Sequence, residues 1–290
     1  MVFFTNLFRL TRPLSNIKNV AIILLAFFLS GTKMNWKDFI LGVISLSLIS
    51  SAVYAFNTLC DFKIDKDNKN KEHHSKSVSF FGERKISFII TTLIALGLLT
   101  GLMINYYFFL SLALLILFNF LYSSRYTRFK EKIILDVLAA GVFAFAIRFI
   151  ASWFIFSISF PPLLPIIALV SAKTGGYLIY KEIDRPFLTA LNIRNSITAI
   201  KKRTLIIISV LLWIVSLLSF LLLCLNSGFK IRFLGFLPLK FLILTPLAIP
   251  PLIVIYIRAF GKIKTEIKHL RIIGFIYWIL AIIIIWKLFL

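Results

Sequence analysis

Residues 50–71 read SSAVYAFNTLCDFKIDKDNKNK and pass from small and apolar residues to a run of lysines and aspartates. Asn57, Asp61 and Asp65 follow one another at intervals of four residues across this transition. If the segment is a helix, this spacing places the three side chains in one stripe along two turns. The stretch therefore predicts the polar end of a membrane helix that carries neighbouring carboxylates.

The composition indicates an integral membrane protein. Apolar residues make up 60% of the 290 residues, Phe occurs 31 times, and the mean hydropathy is +0.97. Soluble domains of this size do not carry so high an apolar fraction. The net charge of +22 is explained by lysines and arginines in the loops, so we do not expect nucleic acid as a partner.

The apolar stretches are long enough for helices that cross a hydrocarbon core of about 30 Å. We predict nine transmembrane helices, at residues 15–31, 38–59, 86–104, 106–122, 133–151, 160–180, 204–225, 238–257 and 271–290. The first stretch lacks a small-residue cleavage site, so we interpret it as a helix and not as a signal peptide. We expect a single domain over residues 1–290, an all-α bundle around a central cavity.

The basic residues are distributed unevenly between the two sides of this bundle. Most of the 33 lysines and arginines fall on the side of the N-terminus, above all in residues 61–85 and 181–203. Cytoplasmic loops of membrane proteins carry such an excess. We therefore predict a multi-pass protein of the cell membrane, with the N-terminus, the main loops and the mouth of the cavity in the cytoplasm and Leu290 on the other side.

Asp61 and Asp65 would repel each other if they stood side by side without a cation. Carboxylate and amide oxygens are hard ligands, and a helix end leaves coordination positions for water and phosphate, which suits Mg²⁺ on a diphosphate. The alternative is that these aspartates only solvate a helix end among lysines. The spacing by itself leaves both interpretations open.

Two cations, Arg148 and Lys173, fall inside otherwise apolar spans. A cation at mid-helix costs at least ~2.5 kcal/mol by insertion scales, so we expect Arg148 to face a polar cavity or an acidic partner. Lys173 lies in the cytoplasmic third of its span. Its amine either reaches phosphate oxygens in the cavity or extends through the lipid to the interface.

The stretch SSAVYAFNTLCDFKID resembles the first signature of the UbiA superfamily of intramembrane prenyltransferases, whose NDxxDxxxD motif holds Mg²⁺ on a prenyl diphosphate. RLTRPLSNIKN (residues 9–19) and LDVLAAGVFAFAIRFIAS (residues 135–152) resemble further segments of this superfamily. Within it, the sequence is most similar to the branch of decaprenyl-phosphate phosphoribosyltransferases. The resemblance implies that Asn57, Asp61 and Asp65 are metal ligands and that Mg²⁺ is the cofactor.

The resemblance also implies which residues handle the substrate. Lys173 matches a lysine of the phosphoribosyl branch and is expected to act with the three metal ligands in catalysis. Lys71 stands where that branch places a basic residue after the first motif. The candidates for substrate binding are Lys18, Lys71, Arg148, Tyr180, Lys181, Glu182 and Asp184.

The sequence departs from the patterns of the superfamily at several positions. Thr58 replaces the first aspartate of the NDxxDxxxD motif. The segment KTGGYLIYKEIDR (residues 173–185) offers only Glu182 and Asp184 where a second DxxDxxxD motif is expected. Thr174 and Tyr177 stand where the phosphoribosyl branch has Arg and Glu. These departures leave the substrate open.

The implied function is that of a prenyltransferase that acts on a polyprenyl (di)phosphate lipid and a small acceptor, with Mg²⁺-assisted departure of diphosphate. The alternative is phosphoribosyl transfer from phosphoribosyl diphosphate to polyprenyl phosphate. A second alternative is a lipid-binding protein or transporter without catalysis. A transporter is expected to carry polar or broken helices at mid-membrane depth, whereas the polar residues here gather towards one side.

Overall fold

The computed structural model describes residues 2–65, 72–229 and 231–242, together with seven residues within 276–287. Across these ranges every regular element is helical, and seven helices are long and apolar enough to cross a membrane. The all-α fold class is therefore confirmed. The predicted spans 238–257 and 271–290 lie mostly outside the described residues, so the count of nine helices stays a prediction.

The first span, Val2–Ser30, consists of two helices joined by a short turn. Helix α1 (Val2–Thr11) ends before Arg12, which has a left-handed φ of 49°, and a 3-10 turn (Pro13–Asn16) leads into α2 (Ile17–Ser30). Proline favours the start of a helical turn because its fixed φ suits that position and its missing N–H has no partner to lose there. The sequence predicted only the second of these two helices.

The following spans agree with the predicted ones to within a few residues, apart from extensions at the C-terminal end of α3 and the N-terminal end of α4. They are α3 (Trp36–Asp65), α4 (Glu72–Leu102) with a non-helical Gly82, and α5 (Tyr106–Ser123). The fifth consists of α6 (Leu135–Val137), a π-helical segment (Leu138–Phe143) and α7 (Ala144–Phe154), and the sixth is α8 (Leu163–Glu182). Two short helices, α9 (Arg185–Ala190) and α10 (Ser196–Ala199), precede the last described span, α11 (Lys202–Leu225).

The bundle buries aliphatic and aromatic side chains between its helices and exposes others around its circumference. Leu46 of α3 and Phe108 of α5 are fully buried in one shared cluster. Phe88 and Leu218 are 73% and 53% exposed on the outer faces of α4 and α11. Exposed apolar surface of this extent is expected where helices contact lipid, which agrees with an integral membrane protein.

Two asparagines fix α2 against α3. Asn16 donates from its Nδ2 to the Ser51 hydroxyl (3.0 Å), and Asn19 donates to the Ser50 hydroxyl (3.2 Å). Both asparagines are buried. Interhelical hydrogen bonds of this kind set the register of membrane helices, because apolar packing alone distinguishes poorly between registers. Lys18, which lies between these asparagines in the sequence, is therefore held at a defined height along α3.

The glycines of the TGG sequence at residues 174–176 differ in their surroundings. A Cβ on Gly175 would lie 2.9 Å from Trp213 and 3.0 Å from the Ser209 carbonyl oxygen of α11, and Ser209 donates its hydroxyl to the Gly175 carbonyl. Gly176 has nothing within 4 Å of the corresponding position. Gly175 thus permits close packing of α8 on α11, as small residues do at contacts between membrane helices.

This difference predicts opposite effects of the same substitution at adjacent positions. Gly175→Ala should destabilise the protein by about 1–3 kcal/mol, because its methyl group meets backbone of α11. Gly176→Ala should be neutral or stabilise by up to ~1 kcal/mol, because alanine favours the helix. Thermal unfolding of the two variants in the same detergent measures the difference, and equal unfolding temperatures would contradict the packing assigned to Gly175.

Candidate active site

Helix α3 continues to Asp65, so Asn57, Asp61 and Asp65 lie on one helical face, as the sequence predicted. Asp61 and Asp65 both line a cavity of about 40 Å³, which is room for a few water molecules. Asp65 is only 5% exposed. The other polar groups that line the cavity belong to Lys130, Glu131, Lys181 and Asn195.

Asn57 is linked to a neighbouring helix. Ser123, the last residue of α5, donates its hydroxyl to Asn57 Oδ1 at 2.7 Å. Asn57 is not among the residues that line the cavity, so the structure brings Asp61 and Asp65 together and places Asn57 one turn deeper. The amide oxygen keeps a second lone pair for another partner.

The donor set of the cavity fits a hard cation. No group of three or more His, Cys, Asp or Glu side chains lies together in the described parts of the chain. Mg²⁺ does not need such a group, because it is usually bound through one or two carboxylates and completes its octahedral shell with water and substrate phosphate. Two carboxylates that share a cavity meet this requirement, and Asn57 adds a neutral oxygen one turn away.

Asp61 forms a buried ion pair with Lys130, a residue that the sequence analysis did not single out. Lys130 Nζ contacts Asp61 Oδ1, and the two side chains are 9% and 14% exposed. The partners are 69 residues apart in the sequence. No motif or spacing indicated this contact, because it depends on the path of the loop between α5 and α6.

The C-terminal end of α8 contributes Lys181 to the same cavity. Its ammonium group lies within electrostatic range of Asp61 and of Asp184. Asp184 is 3% exposed and precedes α9, whereas Glu182 forms an ion pair with Arg185 at 3.7 Å. Among the described residues, the structure thus brings Lys181 to the carboxylate pair and leaves Tyr180, Glu182 and Asp184 outside the cavity lining. Lys71 lies outside the described residues.

A second polar cluster lies deeper in the bundle, around Tyr54 of α3. Lys18 contacts the Tyr54 hydroxyl, and Arg148 and Lys173 lie within electrostatic range of the same residue. The guanidinium carbon of Arg148 and the Nζ of Lys173 lie 5.3 Å and 5.1 Å from the Phe145 ring centroid. Lys18, Arg148 and Lys173, which the sequence indicated separately, therefore lie near one another. Tyr54 is the neighbour that they share.

No carboxylate pairs with these three cations within the described part of the chain. Arg148 is 5% exposed, donates to the Ala144 carbonyl at 3.4 Å, and has no hydrogen-bond partner for its Nε in the described ranges. A buried cation with unfilled donors is costly unless an anion or water compensates it. The deep cluster is thus suited to an anionic group.

The sequence matches the UbiA prenyltransferase family over residues 19–256. The chain belongs to this family. No curated protein matches the sequence.

Solved structures of UbiA homologues share the fold. A homologue from Archaeoglobus fulgidus bound to GPP and Mg²⁺ is 19% identical, has a TM-score of 0.74, and is matched over 97% of this chain and 99% of that chain. The apo structure of a homologue from Aeropyrum pernix K1 is 17% identical at a TM-score of 0.74, over 94% and 96% of the two chains. A structure of digeranylgeranylglyceryl phosphate synthase is 17% identical at a TM-score of 0.68, over 99% and 100%.

Thr58 marks where this UbiA family member departs from the first motif. Its side chain is 2% exposed and donates its hydroxyl to the Tyr54 carbonyl at 2.9 Å. Arg12, at the break between α1 and α2, donates its Nη2 to the Thr58 hydroxyl at 3.0 Å. A carboxylate at position 58 would therefore meet the Arg12 guanidinium.

These contacts predict different effects of a carboxylate added at two adjacent positions. Asn57→Asp places the charge on the stripe of Asp61 and Asp65, where Ser123 still donates to it, so the purified protein should bind Mn²⁺ about tenfold more tightly. Thr58→Asp should form an ion pair with Arg12 and change the affinity by less than about twofold. Titration with Mn²⁺ measures both variants, and a larger gain from Thr58→Asp would show that position 58 faces the metal.

Proposed function

We propose that this UbiA family member is a membrane prenyltransferase that acts on an isoprenoid diphosphate with Mg²⁺. The observation that carries the proposal is that Asp61 and Asp65, two largely buried side chains, line one cavity at the end of α3. The homologue from Archaeoglobus fulgidus, which is bound in separate structures to GPP and to DMAPP with Mg²⁺, supports this substrate class and this cofactor.

In this proposal each part of the site has its own task. Asp61 and Asp65 hold the metal through carboxylate oxygens, with Asn57 as a weaker neutral ligand. Mg²⁺, when bound, neutralises charge on the diphosphate and favours its departure. Lys181 faces the same cavity and offers three N–H donors to phosphate oxygens. The apolar interior holds the isoprenoid chain and excludes water from the reacting carbon.

The deep cluster is suited to bind a second anionic group of the substrates, in addition to the diphosphate. Tyr54 and Asp61 are seven residues apart on α3, so they share a face at a separation of about 10 Å along the helix axis. Lys18, Arg148 and Lys173 surround Tyr54 without a carboxylate partner in the described ranges. In this role Lys173 and Arg148 bind the charged group of the acceptor, and Lys18 is oriented by its contact with the Tyr54 hydroxyl.

This second anion site favours phosphoribosyl transfer as the alternative function. In that reaction both substrates carry phosphate, since the phosphate of a polyprenyl phosphate attacks the ribose carbon of phosphoribosyl diphosphate and diphosphate departs. Prenyl transfer to a small carboxylated acceptor would use the same two sites. The diphosphate would then lie at the metal site and the carboxylate of the acceptor in the deep cluster. Membership of the UbiA prenyltransferase family favours either transfer over the interpretation as a transporter.

Substitution of the carboxylates tests the metal site. The same assays, run with two different sets of substrates, test which reaction the protein catalyses. Asp65→Asn should lower turnover by at least about a hundredfold, because it removes one of two ligand charges, and Asp61→Asn should do the same. Asp38→Asn, at the half-buried Asp38 near the start of α3 and far from the cavity, is the matched control and should retain activity. The assays contain labelled prenyl diphosphates with acceptors, or labelled phosphoribosyl diphosphate with polyprenyl phosphate.

The set of substrates that is turned over identifies the reaction. Full Mg²⁺-dependent turnover by both aspartate variants would refute the proposed metal site. The aspartates would then only solvate the end of α3. Because Asp61→Asn leaves Lys130 without its partner, thermal unfolding of each variant is measured alongside turnover. Asp65→Asn then decides the result if Asp61→Asn is unstable.

We further propose that the carboxylate end of α3 faces the cytoplasm, on the basis of the positive loops. Glu83→Cys and Thr189→Cys, both at exposed positions near this end, should be protected from an impermeant thiol reagent in intact cells. Thr32→Cys, exposed at the other end of α2, should be labelled. The background is a variant with Cys60 and Cys224 replaced by serine, and the reverse labelling pattern would invert the topology.

A further inference from the structure

The ion pair between Lys130 and Asp61 stands at the place where the proposed function requires a divalent cation. Lys130 Nζ contacts Asp61 Oδ1, and both side chains are nearly buried. The same cavity contains Asp65, so the ammonium group is a positive charge beside a pair of carboxylates. Such a charge relieves the repulsion that two neighbouring carboxylates would otherwise experience.

The backbone around Lys130 is held in an unusual conformation. Lys130 lies in a 3-10 turn (Phe129–Glu131) that is preceded by Arg128 with φ 42° and followed by Ile134 with φ 69°. A left-handed conformation is rare for a β-branched residue and persists only where surrounding contacts enforce it. The Ile134 N–H donates to the Ser196 hydroxyl at 2.8 Å, and that hydroxyl donates to Asp136 Oδ1 at 2.5 Å.

The loop between α8 and α11 fixes Lys130 directly. Asn195 Nδ2 donates to the Lys130 carbonyl oxygen at 3.2 Å, and Asn195 Oδ1 accepts from the Ile197 and Thr198 N–H groups at the start of α10. Asn195 is 2% exposed and lines the cavity itself. The side chain of Lys130 thus contacts α3, and its backbone carbonyl accepts a hydrogen bond from the loop between α8 and α11.

We propose that Lys130 is a positioning residue that serves as the internal counter-ion of the carboxylate pair and is displaced from Asp61 when a divalent cation binds. The proposal rests on the metal site of the proposed function and adds that metal binding exchanges one cation for another. An ammonium group in contact with a ligand oxygen and a divalent cation on the same oxygen repel each other strongly at such a distance. Lys130 therefore keeps the empty site in shape and lowers its affinity for metal.

The contacts of Lys130 link the carboxylate pair to the loop between α5 and α6 and to the loop between α8 and α11. When its side chain leaves Asp61, the strained segment 128–134 loses one of the contacts that hold it, while the bond from Asn195 to the Lys130 carbonyl remains. Metal binding is thereby coupled to the conformation of segment 128–134. This coupling is a property that a lysine with a purely structural role would not produce.

The first test measures metal binding by the purified full-length protein without substrate. Lys130→Met removes the charge and keeps the length of the side chain, and it should tighten Mn²⁺ binding about tenfold. Lys132→Met is the matched control, because Lys132 is exposed in the same loop with its Nζ over the Phe129 ring at 5.7 Å, and it should leave the affinity unchanged. Lys130→Arg keeps the charge and should not tighten binding.

The outcomes separate this proposal from the proposed function. If the wild type binds Mn²⁺, Asp65→Asn weakens that binding, and Lys130→Met gives no gain, then the counter-ion role is overturned and the metal site stands. If neither the wild type nor Lys130→Met binds Mn²⁺, both proposals are overturned. Tighter binding by Lys132→Met to the same extent would attribute the gain to general loop charge and would also overturn the role of Lys130.

A second measurement does not depend on the folding of a variant. Amide hydrogen exchange of the wild-type protein is followed in segment 128–134 with and without Mn²⁺. Release of Lys130 should accelerate exchange there severalfold while α3 becomes more protected. Unchanged or slower exchange in segment 128–134 at saturating Mn²⁺ would overturn the proposal.

Discussion

The cost of an uncompensated charge inside an apolar bundle is the constraint on which the polar interior of this protein depends. A charge removed from water must meet an opposite charge, fill its hydrogen bonds, or face a polar cavity. At the end of α3 the requirement is met within the protein, because Lys130 lies against Asp61. Around Tyr54 it is not met by any carboxylate of the described residues, since Lys18, Arg148 and Lys173 all carry the same sign. The interior therefore has two layers of different character, a mixed-charge layer at the mouth and a cationic layer below it.

Helix α3 positions both layers, and its own placement follows from polar contacts with its neighbours. Asn16 and Asn19 fix its height relative to α2, and Ser123 fixes Asn57 relative to α5. Each bond joins a side chain near the functional stripe to another helix, so an axial slip of α3 would break them together. Because hydrogen bonds in a bundle have directions and apolar contacts do not, these polar residues give the site its geometry.

Much of the fold could be predicted from the sequence, since helix length and hydropathy follow directly from the thickness of the hydrocarbon core. The spans of the described residues and the shared face of Asp61 and Asp65 are properties of local periodicity, which the sequence contains. The pairing of Lys130 with Asp61 is not local. It joins residues 69 positions apart through a loop whose left-handed Ile134 has no sequence signature. For the same reason the sequence indicated Lys18, Arg148 and Lys173 separately but did not show that Tyr54 brings them together.

Thr58 shows how a departure from a family pattern changes the charge balance of a site. Where the resemblance implies an aspartate, this chain has a hydroxyl that accepts a hydrogen bond from Arg12. Arg12 also lies over the Tyr54 ring, at 5.4 Å from its centroid, so its charge adds to the cationic layer. A neutral hydroxyl at position 58, where the resemblance implies a carboxylate, removes one negative charge from this region of α3. Under the proposed function, two carboxylates at the end of α3 and several cations below them suit a pair of substrates that each carry an anionic group, and this charge balance is the same for prenyl and for phosphoribosyl transfer.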